Sequence, residues 1–323
     1  FNGLIQVSLA STATISQAIS FAPQQTYSTG VEPRSITLGD VNRDGKLDMV
    51  TANRSGNASV LLGNGDGTFG AKTDFATDSF ARSITLGDVN RDGKLDIVTA
   101  NFNSNNASVL LGNGDGTFGP KTNFATATNP TSISLGDVNG DGKLDIVTAN
   151  FSFNNASVLL GNGNGTFGPK TDFPTGTKPL SIQLGDVNGD GKLDLVTANY
   201  SSNDASVLLG NGNGTFQSAS NFGTGLGPNT VTLGDVNGDG KLDLVTANFR
   251  SNNASVLLGN GNGTFGPKTD FATGTKPYSI QLGDINGDGK LDIVTANLVF
   301  NNASVLLGNG NGTFGPKTDF ATD

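Results

Sequence analysis

The chain has 323 residues, a formal charge of −9, no His, no Cys, no Trp and 47 Gly. The absence of His and Cys removes the commonest general base, the thiol nucleophile and zinc sites built on those ligands. No run is long or apolar enough to span a membrane, no Lys/Arg cluster points to nucleic acid, and no Gly-X-Y period points to collagen.

Residues 1–20 read as an N-terminal extension, with a strand-like piece at Asn2–Leu9. Residues 21–323 read as one repeated domain. Phe21, Pro23, Tyr27, Gly30 and Pro33 match Phe265, Pro267, Phe271, Gly274 and Pro277, so the domain opens with the last strand of a repeat. It also closes with one, Phe314–Phe320, which leaves seven last strands for six repeats. The spare strand either begins a partial seventh unit or is available to a neighbouring subunit, since an open edge recruits partners. The chain starts at Phe1 rather than Met, which suggests a processed or excerpted product.

The unit that follows recurs at a spacing of 48 residues once and 49 thereafter. Its core is an acidic nonapeptide. The first copy carries Asp40, Asn42, Asp44, Lys46 and Asp48 at positions 1, 3, 5, 7 and 9; the second carries Asp88, Asn90, Asp92, Lys94 and Asp96. The third has Asp137, Asn139, Asp141, Lys143 and Asp145, and the fourth Asp186, Asn188, Asp190, Lys192 and Asp194. The fifth has Asp235, Asn237, Asp239, Lys241 and Asp243, and the sixth Asp284, Asn286, Asp288, Lys290 and Asp292. Alternating oxygen donors, bent round by a glycine at position 6, suit a hard cation such as Ca²⁺, with the lysine offering only its backbone carbonyl. About six ions are expected, one per loop. They would turn the formal charge of −9 into +3, because 18 of the 28 acidic residues are loop aspartates.

Each repeat has four strand-like pieces, A to D; in the second they are Ser83–Leu86, Asp96–Ala100, Ala107–Leu111 and Phe118–Phe124. They are short, β-branched or Leu-rich, and bounded by Gly, Asn and Asp. Strand A alternates, whereas Val109-Leu110-Leu111 is a continuous run suited to a strand covered on both faces. No segment has a helical period. Four strands per repeat of this length favour a radial β-propeller over a solenoid, whose repeats are usually shorter.

An EF-hand is excluded, because position 12 is Thr51 where a bidentate Glu is required and the flanks read as strands. The loop resembles instead the calcium loop of FG-GAP (VCBS) repeats, the family that includes the integrin α-subunit head. Phe69-Gly70, Phe118-Gly119, Phe167-Gly168, Phe265-Gly266 and Phe314-Gly315 supply the "FG" half, broken once at Phe216-Gln217. The "GAP" half is replaced by Thr-Ala-Asn, as at Thr51-Ala52-Asn53. The resemblance covers roughly residues 20–323. It implies an all-β propeller of four-stranded antiparallel blades, six of them, or seven with a partial N-terminal blade.

In an up-and-down blade the A–B loop and the Gly-rich C–D turn share one face. The variable B–C and D–A connections share the other. The latter carry Arg54, Phe102, Phe151, Phe153, Tyr200, Phe249 and Phe300, together with Phe80, Leu180 and Tyr278. Recognition of a protein or glycan is expected on this varied face, though for any single aromatic side chain blade packing competes with that role. The Asn-x-Ser/Thr sequences, such as Asn57-Ala58-Ser59, fit turns and strand starts better than glycan acceptors.

The uniform loops suit scaffolding, and weak calcium sites suit the outside of cells, where dissociation constants of about 10⁻⁴–10⁻³ M suffice. The sequence therefore predicts a secreted or surface-attached, non-catalytic, calcium-stabilised propeller for adhesion, filament assembly or protein recognition. Self-assembly would run through the N-terminal strand. A lectin is the alternative, with the lack of Trp against it, and a carbohydrate-active enzyme a more distant one.

Overall fold

A computed structural model describes residues 19–322. The strand expected at Asn2–Leu9 lies outside the described residues. Within them there are six four-stranded sheets, each formed by consecutive strands in sequence order, and no helix. The described residues form a six-bladed β-propeller.

The first blade is β1 (Pro33–Gly39), β2 (Asp48–Asn53), β3 (Asn57–Leu61) and β4 (Thr73–Ala76). The second is β5 (Ala81–Gly87), β6 (Asp96–Asn101), β7 (Asn106–Leu110) and β8 (Thr122–Ala125). The other four repeat this order over residues 130–174, 179–223, 228–272 and 277–321. All neighbours are antiparallel.

The expected outer strand from Phe118 to Phe124 is two pieces. Phe118 makes an isolated bridge to Gly112, and regular pairing resumes at Thr122. Gly119 and Pro120 lie between, and proline has no N–H to give to a ladder. Residues 19–32 belong to no strand, although the sequence reads as a strand there. An outer strand pairs only with the third strand of its own blade, and the described residues before Phe21 supply none.

Successive blades are joined by five buried clusters of one composition. Between the first and second, Val50, Ala52, Ala58 and Val60 meet Ala81, Ile84, Ile97, Leu110 and Phe118. The other four clusters repeat it. Hence the middle strands are apolar on both faces. A phenylalanine of each outer strand also sits edge-on against the next blade's "FG" phenylalanine, as in Phe75–Phe118 at 5.2 Å.

The Thr-Ala-Asn sequence has a structural explanation. Thr51 Oγ1 donates to Asn53 Oδ1 (3.2 Å), Asn53 Nδ2 donates to Ser59 Oγ (2.9 Å), and Ser59 Oγ donates to Asp74 Oδ1 (2.6 Å). This ladder crosses three strands and recurs in the later blades. From the third blade onward the serine also accepts a backbone N–H from the preceding D–A connection, as Ser157 does from Ala127 at 3.1 Å. No buried side-chain polar atom among the described residues lacks a partner, so the polar groups between the sheets are fully satisfied.

Candidate metal loops and an aromatic mouth

The six acidic loops close the A–B hairpins on one face. Gly116 N–H of the second blade's C–D turn donates to Val41 O of the first blade's loop (3.3 Å), and the pattern recurs between later blades. Loop and turn thus share a face, as expected.

Each loop is folded by its own side chains. Asp40 Oδ1 accepts the N–H of Asp44 (3.0 Å), and Asp40 Oδ2 that of Gly45 (2.8 Å). Asn42 Oδ1 also accepts from Asp44 N–H (3.0 Å), and Asp44 Oδ1 accepts from Lys46 N–H (2.9 Å). Gly45 has φ +81°, a conformation glycine adopts without steric cost. Position 4 is Gly140, Gly189, Gly238 and Gly287 in the last four loops, all at positive φ. Arg43 (φ 63°) and Arg91 (φ 64°) take the same conformation at the cost of a Cβ clash.

The ninth-position aspartate differs from the others. Asp48 is fully buried; its Oδ2 accepts Val41 N–H (2.9 Å) and its Oδ1 accepts Gly63 N–H (2.8 Å). It ties the A–B loop to the C–D turn in every blade. Burial pushes the carboxyls of Asp96, Asp145, Asp194 and Asp243 above the usual carboxylate range, against the pull of those two N–H groups. The fifth-position carboxyls of Asp141, Asp190, Asp239 and Asp288 shift the other way. The backbone N–H of the following lysine is the main cause for Asp190, Asp239 and Asp288, and the Lys143 side chain for Asp141.

The lysines do more than the sequence suggests. Besides exposing a carbonyl, each places its ammonium against the fifth-position carboxylate, at 3.8 Å for Lys46–Asp44 and 3.0 Å for Lys143–Asp141. The donor set of three carboxylates, one amide oxygen and one carbonyl fits Ca²⁺ in kind. The carboxylates of one loop do not converge on a point: the described residues hold no group of three or more acidic side chains placed around a metal. The ninth-position oxygens face backbone N–H groups, and the fifth-position ones face lysine.

The opposite face carries the variable connections. Phe102 N–H donates to Phe80 O (2.9 Å) and Tyr200 N–H to Lys178 O (3.0 Å), joining B–C loops to D–A connections. Phe102, Phe151, Tyr200, Phe249 and Tyr278, with Arg82, Leu180 and Asn229, line a hollow of about 280 Å³ at the centre of this face. Neighbouring rings are tilted on one another, with Phe102–Phe151 and Tyr200–Phe249 both at 6.4 Å and 54°. Cations lie over them: Arg82 over Phe102 (5.3 Å), Lys178 over Phe151 (5.2 Å), Arg250 over Tyr200 (4.5 Å) and Lys276 over Phe249 (5.6 Å). Arg82 has no carboxylate partner among the described residues, and burial is the main influence lowering its pKa. Arg82 and Asn229 were not singled out from sequence. Their signal was weak, being one variable position just after each D–A connection. Phe153 (64% exposed) and Phe300 (78%) do not line the hollow, so the varied face divides into a central mouth and a scattered rim.

Radial four-stranded blades, each with an acidic loop on one face, define a repeat-built β-propeller. Five overlapping segments, 40–99, 88–148, 137–197, 186–246 and 235–295, match the FG-GAP-like repeat, each beginning at a first loop aspartate. The chain belongs to that family. No curated protein matches it in sequence. Among solved structures it is similar to an Agrocybe aegerita lectin that recognises non-reducing terminal N-acetylglucosamine, at 24% identity and TM-score 0.62, over 89% of this chain and 80% of that one. A periplasmic gluconolactonase of Pseudomonas aeruginosa is similar at 14% identity and TM-score 0.67, over 90% and 86%. A candidate 6-phosphogluconolactonase of Bacteroides uniformis is similar at 15% and 0.69, over 92% and 88%.

These likenesses are of fold, and they correct one expectation. The reading of the chain as non-catalytic does not stand, because propellers of this shape include lactonases. Lacking His and Cys removes imidazole and thiol chemistry and the zinc sites built on those ligands; carboxylates, Lys, Tyr and metal bound through oxygen remain available to a propeller.

Proposed function

We propose that this chain is an extracellular or surface-attached recognition propeller, stiffened by Ca²⁺ in its six loops, that takes an acidic ligand at the aromatic mouth. Arg82 carries the reading: a cation in a ring-lined hollow, without a carboxylate of its own. An anionic group would pair with it while the rings cover the ligand's apolar part. For the loops, support comes from donor chemistry and sixfold repetition. Ca²⁺ would displace each lysine ammonium from its aspartate and draw the first- and fifth-position carboxylates together. Binding only the folded state, it would raise stability.

A protein partner presenting an acidic loop is the first form of this reading. A glycan is the second, favoured by the aromatic faces and by the lectin's likeness in fold. The test is binding of the whole chain to acidic peptides and to arrays of neutral, sialylated and sulfated glycans. Capture of anionic probes, lost on Arg82→Ala and on Phe249→Ala, is expected. Binding that survives both substitutions contradicts the proposal.

A further inference from the structure

Charge is divided between the two faces of the ring. The acidic loops and Gly-rich turns carry the 18 loop aspartates, Asp66 and Asp115 against six lysines, Arg43 and Arg91. The B–C and D–A connections, with the strand ends beside them, carry Arg34, Arg54, Arg82, Lys178, Arg250 and Lys276 against Glu32, Asp78 and Asp204. Lys121 further offsets Asp78 (3.4 Å). The mouth face is thus net cationic on an acidic protein.

The same face holds exposed apolar side chains. Apart from Phe21 and four residues of the first and sixth blades (Ile36, Leu38, Leu47 and Ile285), every large apolar residue exposed among the described residues lies in a B–C or D–A connection: Val31, Phe153, Leu226, Leu298 and Phe300. These are not ring fillers. Ser104, Ser202 and Ser251 take the place of Phe153 and Phe300 in other blades, and each hydroxyl accepts a backbone N–H of the facing D–A connection at 3.0–3.1 Å. The phenylalanines forgo that bond and stay in solvent. Leu226 likewise stands where other repeats have Ser79, Thr128, Thr177 and Thr275.

Each apolar tip has a cation beside it. Lys178 N–H donates to Asn154 Oδ1 (2.8 Å), next to Phe153. Arg250 N–H donates to Leu226 O (3.0 Å), and Leu298 N–H to Lys276 O (3.0 Å). Arg54 N–H donates to Glu32 O (3.1 Å), next to Val31. Scattered apolar residues are normal on a protein surface. Confined to one face and interleaved with cations, they have the make-up of a surface that lies on a membrane without spanning it. Apolar tips enter the boundary between headgroups and acyl chains, and Lys and Arg meet lipid phosphates. We infer that the mouth face docks on an anionic lipid bilayer, with Phe153, Leu226 and Phe300 entering it. Lipid phosphate then becomes the anion taken by Arg82, which rests on the reading proposed above, whereas the rim contacts stand without it. A glycan or an acidic protein loop would account for the hollow but not for the rim.

Vesicles of phosphatidylcholine with about a third phosphatidylglycerol, in about 0.1 M salt, test this on the full chain. Co-sedimentation with them, and not with phosphatidylcholine alone, is expected. Lys178→Gln and Arg250→Gln should each weaken binding about fivefold, and Phe153→Ala with Leu226→Ala about tenfold. All four residues are exposed, so Tm should hold. The chain has no Trp, so Phe153→Trp adds a single indole whose emission should shift to the blue with the anionic vesicles. Binding that none of these substitutions weakens, or no blue shift, overturns the inference. A blue shift that comes on raising protein concentration without lipid would make a second copy the occupant and overturn it too. If acidic peptides or sialylated glycans bind through Arg82 while the vesicles do not bind, the mouth reading stands and membrane docking falls. Vesicle binding that needs the rim but not Arg82 does the reverse.

Discussion

Replacing Ser157 by Ala removes one oxygen from the centre of the third blade's ladder. Ser157 is fully buried. Its hydroxyl accepts from Asn150 Nδ2 (2.9 Å) and Ala127 N–H (3.1 Å) and donates to Asp172 Oδ1 (2.6 Å). Asn150 keeps a bond to Asn155 Oδ1 (3.0 Å), but the Ala127 N–H is orphaned and Asp172 loses a charge-assisted donor. An orphaned buried group costs about 1–3 kcal/mol and a hydrogen bond to a charge about 1.5–3 kcal/mol, so the loss should be about 3 kcal/mol. The first blade is an internal control. Ser59 bonds Asn53 and Asp74 but receives no backbone N–H from the D–A side, so Ser59→Ala should cost about 1 kcal/mol less. Urea unfolding followed by circular dichroism, with slopes compared to confirm a common transition, reads both values. Equal costs for the two variants, or less than about 0.5 kcal/mol for Ser157→Ala, would refute the ladder as a stabilising element.

Further outcomes follow from the loops. Arg91→Gly relieves a positive φ that glycine occupies in four of the six loops, and should raise stability by up to about 1 kcal/mol in thermal unfolding; a loss would mean that the Arg91 contact over Gly163 outweighs the relief. Asp194→Ala leaves the buried N–H groups of Val187 and Gly210 unpaired, and should cost about 2–4 kcal/mol even in EDTA. In calcium-free buffer the two aspartate classes oppose each other with pH. The lowered pKa values of Asp190, Asp239 and Asp288 give stability that is present above the unfolded carboxylate value and lost as pH falls through the native one. The raised values of Asp145, Asp194 and Asp243 mean that ionisation costs stability at neutral pH, a cost relieved as pH falls through the native pKa. Asp194→Asn should therefore steepen the loss of Tm on acidification, and an unchanged profile would contradict the assignment.

The fold was legible because one nonapeptide recurs at a near-constant spacing and the strands between its copies are short and β-branched. Strand C's unbroken Val-Leu-Leu run announced burial on both faces, and Val109 and Leu110 are buried between blades. What was illegible depends on relations between repeats. The ladder from Thr51 to Asp74 crosses three strands, so its members are scattered in sequence. The placement of Lys46 on Asp44 is a side-chain choice that a backbone-ligand reading overlooks. The mouth was half visible: its aromatic residues sit in variable loops that stand out against constant ones. Arg82 gains meaning only beside Phe102 and Tyr278, from other parts of the chain. Neither uniform loops nor missing His and Cys exclude catalysis, because propellers of this shape include lactonases.

Calorimetric titration of the EDTA-stripped chain with Ca²⁺, repeated with Asp44, Asp141 and Asp239 changed to Asn, examines the acidic loops most directly. About six sites per chain, with about three weakened by the triple substitution and a higher Tm when loaded, is the expected result. No heat and no change of Tm up to millimolar Ca²⁺ would mean that the lysines alone neutralise these aspartates and that the loops need no metal.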